Sequence, residues 1–298
     1  MMKNLYGSYV AIVTPMLADG SVDYKSLGNL IEFHIESGTH GIVAVGTTGE
    51  SATIPVDEHI EVIDFTVKQA AGRIDVIAGT GGNSTNEALE LTRLAAEVKA
   101  DACLLVVPYY NKPTQHGLYQ HYKTIADAVP ISQILYNVPG RTVADLDNDT
   151  AVQLAEIDNI IGIKDATGDI ARGQDLVERC LGKMDVVSGD DSTALAHMKV
   201  GGKGNISVTA NVAPALMSQL CEAAINGDFA EADRLNSQLE KLNSSLFIES
   251  NPIPVKWALN RMGMIGEHMR LPMTQFSSQY HDQLEQALLE ADISLPVA

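Results

Sequence analysis

Lys164 closes an apolar run, Ile160-Ile161-Gly162-Ile163, and is followed by Asp165-Ala166-Thr167-Gly168-Asp169. The four residues before it read as a buried strand, so the amine sits at the strand's exit, in or beside the core. Burial there disfavours an ammonium and leaves free amine to attack a carbonyl, the opening step of Schiff-base chemistry. A lysine in that place could equally send its head group to solvent or pair with Asp165. The strand context alone supports both readings.

Aldol chemistry on a lysine also requires a proton shuttle for the carbinolamine and enamine steps and donors for a substrate carboxylate. Tyr136 ends a neighbouring strand and can supply the shuttle; the alternative is a core tyrosine with a satisfied hydroxyl. Thr47 and Thr48, in the turn Gly46-Thr47-Thr48-Gly49-Glu50, offer hydroxyl and backbone donors where glycines let a ligand approach closely. That turn by itself is also a flexible loop with a helix-capping threonine. Arg141 follows Tyr136 by a short loop and could hold a carboxylate bidentately, or be a surface residue paired with Asp145 or Asp147.

These groups share a mouth only if the chain brings strand ends together. Short β-rich runs alternate eight times with helix-patterned segments: 9–13, 41–45, 75–79, 102–107, 132–136, 160–164, 185–188 and 205–208. Between them, apolar residues recur at helical spacing over 24–37, 56–71, 85–99 and 171–181. The strands recur every ~20 to 33 residues, the size of a βα unit. Eight such units predict an α/β fold, a closed (β/α)8 barrel of the TIM type over residues 1–225. An open doubly wound sheet is the alternative, but no GxGxxG follows the first strand. From 226 to 298 only helical patterns remain, at 228–246, 254–262 and 277–290, which predicts a C-terminal appendage of three helices packed on the barrel. Barrel active sites lie at the C-terminal strand ends. The turn at 46–50, Pro108-Tyr109-Tyr110-Asn111, Tyr136 to Arg141, Lys164, Ser188-Gly189-Asp190-Asp191 and the edge Ile206 to Thr209 therefore point at one mouth.

Composition narrows the partners. A formal charge of −18 repels nucleic-acid phosphates and means that an anionic substrate needs local cations, of which Arg141 is one. No apolar run approaches the roughly 20 residues that cross a bilayer, and the start shows neither a signal-peptide core nor an Arg-rich transit pattern, so a cytoplasmic protein with no membrane partner is expected. Cys103, Cys180 and Cys221 are far apart and read as core residues. The eight histidines show no ligand spacing, and His116 and His121 lie off a common helical face, so no metal site is expected. Gly201-Gly202-Lys203-Gly204 looks superficially like a phosphate loop but precedes the eighth strand, which puts it on the opposite rim.

The set GTTGE at 46–50, PYYN at 108–111, ILYNVPGR at 134–141, IIGIKDATGD at 160–169, SGDD at 188–191, ISVTAN at 206–211 and NPIPVKWAL at 251–259 closely resembles the dihydrodipicolinate synthase (4-hydroxy-tetrahydrodipicolinate synthase) family across nearly the whole chain. Single motifs occur throughout the wider pyruvate-aldolase superfamily. The resemblance implies condensation of pyruvate with L-aspartate 4-semialdehyde, the committed step toward diaminopimelate and lysine, with no cofactor beyond the covalent pyruvate imine. It makes Lys164 the Schiff-base residue and Tyr136 the general acid/base, with Thr47 linking Tyr136 to Tyr110 in a relay that reaches a neighbouring subunit. It places Thr48 on the pyruvate carboxylate and Arg141 on that of the semialdehyde, and lines the pocket with Gly189 and Ile206. It further implies a homotetramer built from two tight dimers. Members inhibited by L-lysine bind it at the tight-dimer interface, where the matching positions are Ser51, Ala52, His59, Asn83, Glu87 and Tyr109. Val56 departs from the histidine that sensitive members often carry there.

Two other functions fit parts of the pattern: an aldolase like N-acetylneuraminate lyase with a different aldehyde, and a barrel that only binds pyruvate or lysine. Arg141 and the paired threonines favour the synthase over the other aldolase. The full set of Lys164, Tyr136, Thr47 and Tyr110 argues against a pure binder, which needs neither an amine nor a proton relay.

Overall fold

The computed structural model describes residues 2–296; Met1 and residues 297–298, the outer ends of the two expected regions, lie outside the described residues. Eight parallel strands close a barrel in sequence order: β1 Gly7–Ala11, β2 Gly41–Ala44, β3 Asp75–Gly79, β4 Ala102–Val106, β5 Ser132–Asn137, β6 Ile160–Asp165, β7 Asp185–Ser188 and β8 Gly204–Ser207. Closure leaves no free edge. Both faces are buried, which is why the strands read as nearly continuous apolar runs.

Two layers of side chains follow from the two-residue period. Tyr9, Val43, Ile77, Leu104, Ile134 and Val187 form one cluster inside the barrel, with Leu5 beneath them. Val10, Ile42, Val76, Cys103, Leu135 and Val186 point outward and pack on helices. Gly41 is required by this filling, because a Cβ there would stand 2.1 Å from the Tyr9 ring.

The helices begin where short polar side chains can accept from the first turn. Asp23, Ser84, Thr114, Asp169 and Asp228 each cap a following helix in this way. The helices after residue 226, Phe229–Ser245, Ile253–Arg261 and His281–Glu290, do not form a core of their own. Leu235, Leu242, Leu259 and Leu288 share one apolar cluster with barrel residues such as Val10 and Ile42.

Boundaries differ from the expected ones where tertiary contacts override pattern. β1 begins two residues early, at Gly7, paired with Gly204, and ends at Ala11, after which the Val13 amide donates to Asn211 Oδ1 rather than to a strand. β2 stops at Ala44 because Val45 is left-handed, with φ 51°. Gly201–Lys203 lies at the N-terminal rim, where the Gly7 amide donates to the Lys203 carbonyl, as the position of that segment predicts.

Buried histidines carry a pH dependence, and in three of them the shift is large. Desolvation lowers His34 to about 3, His121 to about 4 and His197 to about 4. His34 and His121 each reach one threonine hydroxyl, whereas His197 is wedged against Gly173 and Gly202 with neither ring nitrogen partnered among the described residues. An unfolded histidine titrates near 6.5, so between pH ~6.5 and ~4 the unfolded chain binds protons that the native chain refuses. The contribution is whole above that window and is lost as pH falls through it, at about 1.4 kcal/mol per pH unit for each ring. Urea titrations at several pH values between 7 and 4 should show stability declining, and His197→Gln should make the decline shallower; an unaltered slope would contradict this assignment.

Candidate active site

Whether Lys164 faces inward depends on an irregularity between β5 and β6. Gln133 pairs with Ile160, but Ile134 pairs with Gly162, so Ile161 is an extra residue on β6. Ile160 points outward; after the bulge Ile163 again points outward, Gly162 faces Leu5 inside the barrel, and Lys164 turns inward beside Tyr136. Strict alternation from Ile160 would have sent Lys164 to the helix-covered face. The bulge therefore makes the site.

Lys164 is 5% exposed, and its Nζ lies 4.3 Å from the centroid of the Tyr136 ring. Among the described residues no carboxylate lies within ion-pair distance of it. Asp165 points the other way, accepts from the Thr167 hydroxyl (3.0 Å) and amide (3.2 Å), and is pushed above the usual carboxylate range by burial. Of the two readings of Lys164, pairing with Asp165 is thereby removed. Gly189, at the end of β7, covers the lysine's methylenes: a Cβ there would lie 2.6 Å from Lys164 Cε.

The turn after β2 is held under strain. Val45 and Glu50, both non-glycine, have positive φ (51° and 62°), an arrangement that persists only where the surroundings enforce it. Gly79 admits it, since a Cβ there would sit 2.4 Å from the Val45 carbonyl oxygen. Glu50 anchors it from the other side through an ion pair with Lys256 (2.5 Å) whose side chains are 2% and 0% exposed. Burial alone would drive Lys256 toward neutrality and does lower it; the Glu50 carboxylate opposes this, and Lys256 also donates to the Thr14 carbonyl. The turn thus presents Thr47 and Thr48 to the same cavity as Lys164, Tyr136, Arg141 and Gly189.

Arg141 stands on the short helix Pro139–Thr142 after β5. Asp145 is already bound bidentately by Arg172 (2.7 and 2.9 Å), and Arg141 forms no ion pair among the described residues. Its Nη2 donates to the Asn251 carbonyl at 3.3 Å, and its side chain lines the cavity. Other expected residues lie elsewhere. Ile206 is 1% exposed within the barrel filling, and Tyr110, 88% exposed with φ 74°, stands on an outer loop away from this chain's cavity. Tyr136 and Thr47 therefore line one cavity without Tyr110.

The six positions matched to lysine binding are mixed in character. His59 is buried, with Nε2 2.7 Å from the Gly79 carbonyl, and desolvation lowers it. Asn83 accepts from the Asn111 side chain through its carbonyl, Ser51 is half-buried, and Ala52 and Glu87 are exposed. Partial burial and then the Glu87 charge raise the Tyr109 phenol. Among the described residues no group of three His, Cys, Asp or Glu could hold a metal ion.

Asn251, Phe247 and Asp190 also line the cavity, and reading the sequence for chemistry missed the first two. Lys256 left a signal: like Lys164, it interrupts an apolar segment, Ile253-Pro254-Val255-Lys256-Trp257-Ala258-Leu259. Asp191 and Thr209 proved to be structural. The Asp191 carboxylate accepts from Asn205 Nδ2 and from the Val208 and Thr209 amides, and Thr209 donates to Asn243.

An inward, unpaired lysine beside a phenol, with hydroxyls and a guanidinium around the mouth of a (β/α)8 barrel, defines the class of lysine-dependent Schiff-base lyases. The chain belongs to the dihydrodipicolinate synthetase family, whose model matches residues 4–291. It is 62% identical over 290 residues to the 4-hydroxy-tetrahydrodipicolinate synthase of Thioalkalivibrio sulfidiphilus, covering 97% of this chain and 99% of that one. It superposes with a TM-score of 0.97 on the crystal structure of a chloride-inhibited dihydrodipicolinate synthase from Acinetobacter baumannii complexed with pyruvate, at 59% identity over 98% of this chain and 100% of the other. A dihydrodipicolinate synthase from Cyanidioschyzon merolae with lysine bound aligns with a TM-score of 0.94 at 36% identity, over 97% and 99% of the two chains.

Two outcomes test this geometry. Gly189→Ala should displace the Lys164 side chain and lower kcat on the order of a hundredfold with little change in melting temperature, because sub-ångström placement of the nucleophile governs the rate; a fully active variant would show that the close contact is not limiting. Lys256→Met should cost about 3–5 kcal/mol in denaturant unfolding by stranding the Glu50 carboxylate, and adding Glu50→Gln should recover much of that loss.

Proposed function

We propose that this chain condenses pyruvate with L-aspartate 4-semialdehyde to 4-hydroxy-tetrahydrodipicolinate, the committed step toward diaminopimelate and lysine. The observation that carries the reading is Lys164: inward, 5% exposed, unpaired and beside Tyr136. Its amine attacks the pyruvate keto carbon, water leaves, and an imine forms. Loss of a proton from the pyruvate methyl gives the enamine, whose carbon attacks the semialdehyde's aldehyde; the resulting alkoxide takes a proton. The semialdehyde's own amine then displaces Lys164 from the imine carbon and closes the ring. The imine is the electron sink, so the chemistry needs no metal or other cofactor.

Tyr136 is the acid and base at these steps, being the hydroxyl-bearing side chain next to the amine. Thr48 donates to the pyruvate carboxylate, Gly189 shapes the pocket around it, and Ile206 backs that pocket from the barrel filling. Arg141 takes the semialdehyde carboxylate, supplying locally the positive charge that a chain of net charge −18 lacks overall. Thr47 connects Tyr136 with Tyr110 contributed by a neighbouring subunit of a homotetramer, which gives that exposed aromatic a role. Assembly as a dimer of dimers also suits the exposed pair Tyr109 and Tyr110. The enzyme works in the cytoplasm, with no nucleic-acid or membrane partner.

L-Lysine binds at Tyr109 and Glu87, with Ser51, Ala52, His59 and Asn83 completing the site. A carboxylate beside an aromatic ring suits an amino acid with a cationic side chain. The buried His59, bonded to Gly79 in β3, ties that site to the floor beneath the strained turn that carries Thr47 and Thr48.

Borohydride with pyruvate should add a pyruvate-derived mass to Lys164, seen by peptide mass spectrometry, and none in Lys164→Ala; an unlabelled wild-type chain would refute the proposal. Condensation should proceed with aspartate semialdehyde and not with N-acetylmannosamine. Arg141→Ala should raise the semialdehyde KM by about ten- to a hundredfold, the worth of a charged hydrogen bond, with far less change for pyruvate; equal effects on both would contradict its role. Activity unchanged in millimolar lysine would remove the regulatory site.

A further inference from the structure

Two buried contacts join the segment that opens the helix Ile253–Arg261 to the turn after β2. One is the Glu50–Lys256 ion pair. The other is the Asn251 side chain, 4% exposed, whose Nδ2 donates to Thr48 Oγ1 at 3.0 Å. The Asn251 Oδ1 is buried without a partner among the described residues, and the Asn251 backbone carbonyl accepts from Arg141 Nη2. Asn251, Thr48, Arg141 and Lys164 all line the same cavity.

A threonine hydroxyl has one hydrogen to give and two lone pairs that accept. When an amide N–H occupies a lone pair, the hydroxyl hydrogen must point elsewhere. A carboxylate can only accept, so Thr48 is useful to a substrate carboxylate only in the orientation that presents its hydrogen. We infer that Asn251 is a positioning residue for the condensation: its amide sets the polarity of Thr48, so that pyruvate's carboxylate meets a hydrogen and not a lone pair. Its backbone carbonyl meanwhile steadies Arg141 at the second carboxylate, through an atom that no side-chain substitution removes. One residue outside the barrel strands thereby organises the donors for both substrates by separate contacts. The ion pair at Lys256 holds the Asn251 segment in register with the turn, so the amide meets the hydroxyl without loop closure.

The inference rests on the reading of Thr48 given above, and a double-mutant cycle separates the two. Asn251→Ala should raise the pyruvate KM about tenfold, the equivalent of one hydrogen bond, with kcat within about twofold and the semialdehyde KM nearly unchanged. Thr48→Val should raise the pyruvate KM by at least as much, and adding Asn251→Ala to it should change that value by less than about twofold. Asn251→Asp keeps the size of the side chain but accepts the Thr48 hydrogen, so it should weaken pyruvate more than Asn251→Ala does. A full effect of Asn251→Ala in the Thr48→Val background overturns the inference while leaving Thr48 in its role. An unchanged pyruvate KM in Asn251→Ala, or an equal rise for both substrates, also overturns it. An unchanged pyruvate KM in Thr48→Val overturns the reading of Thr48 itself and the inference with it.

Discussion

The arrangement turns on one extra residue. In a closed parallel sheet, each strand's side chains alternate between the barrel interior and the helix-covered face, and a shift of one residue exchanges the two sets. The bulge at Ile161 performs that exchange once, between β5 and β6. Below it, Ile160 packs outward; above it, Lys164 faces inward opposite Tyr136 and Asp165 faces away. Without it Tyr136 would pair with Ile163, and the amine would have no cavity and no neighbouring phenol. The bulge also explains Gly162, which comes so close to Leu5 that a Cβ would lie 2.8 Å from it.

Two buried lysines show how the same side chain is put to opposite uses. Lys256 is matched by a carboxylate at 2.5 Å and a carbonyl at 3.1 Å, so an ionised Glu50 offsets part of the cost of its burial, and the pair ties the C-terminal helices to the β2 turn. Lys164 has an aromatic face and space in place of a counter-ion. A nucleophile needs that lack of a partner, since a bound carboxylate would occupy the nitrogen that must reach a carbonyl carbon. The tether at Lys256 also bears on the turn itself, where left-handed Val45 and Glu50 keep Thr47 and Thr48 at the mouth. Contacts far along the sequence maintain a strain that the turn could not hold alone.

Electrostatics divides the surface from the site in a related way. The chain carries 38 acidic against 20 basic residues, yet Arg141, Lys164 and the hydroxyls of Thr47 and Thr48 line one cavity. Arg141 is available because Arg172 has taken Asp145, a competition that neighbouring positions in the sequence do not disclose. The Asn251 amide and carbonyl complete the arrangement from a segment that contributes nothing to the barrel wall.

Residue pattern alone was enough for the eight strand-and-helix units, their closure and the C-terminal helices, because period and repeat length are local properties of the chain. It was also enough to single out Lys164, a charge ending an apolar run, and the polar residues that follow each strand. Facing is a tertiary matter: simple alternation points Lys164 the wrong way, and only pairing with β5 reveals the bulge. Partner choice is tertiary as well, since Arg141 is left free by Arg172 and Thr48 is bonded by Asn251, 203 residues away. Local sequence determined which groups could react. The closed barrel and the helices packed against it decided which of them stand side by side, because distances between strand ends are set by register and packing and not by separation along the chain.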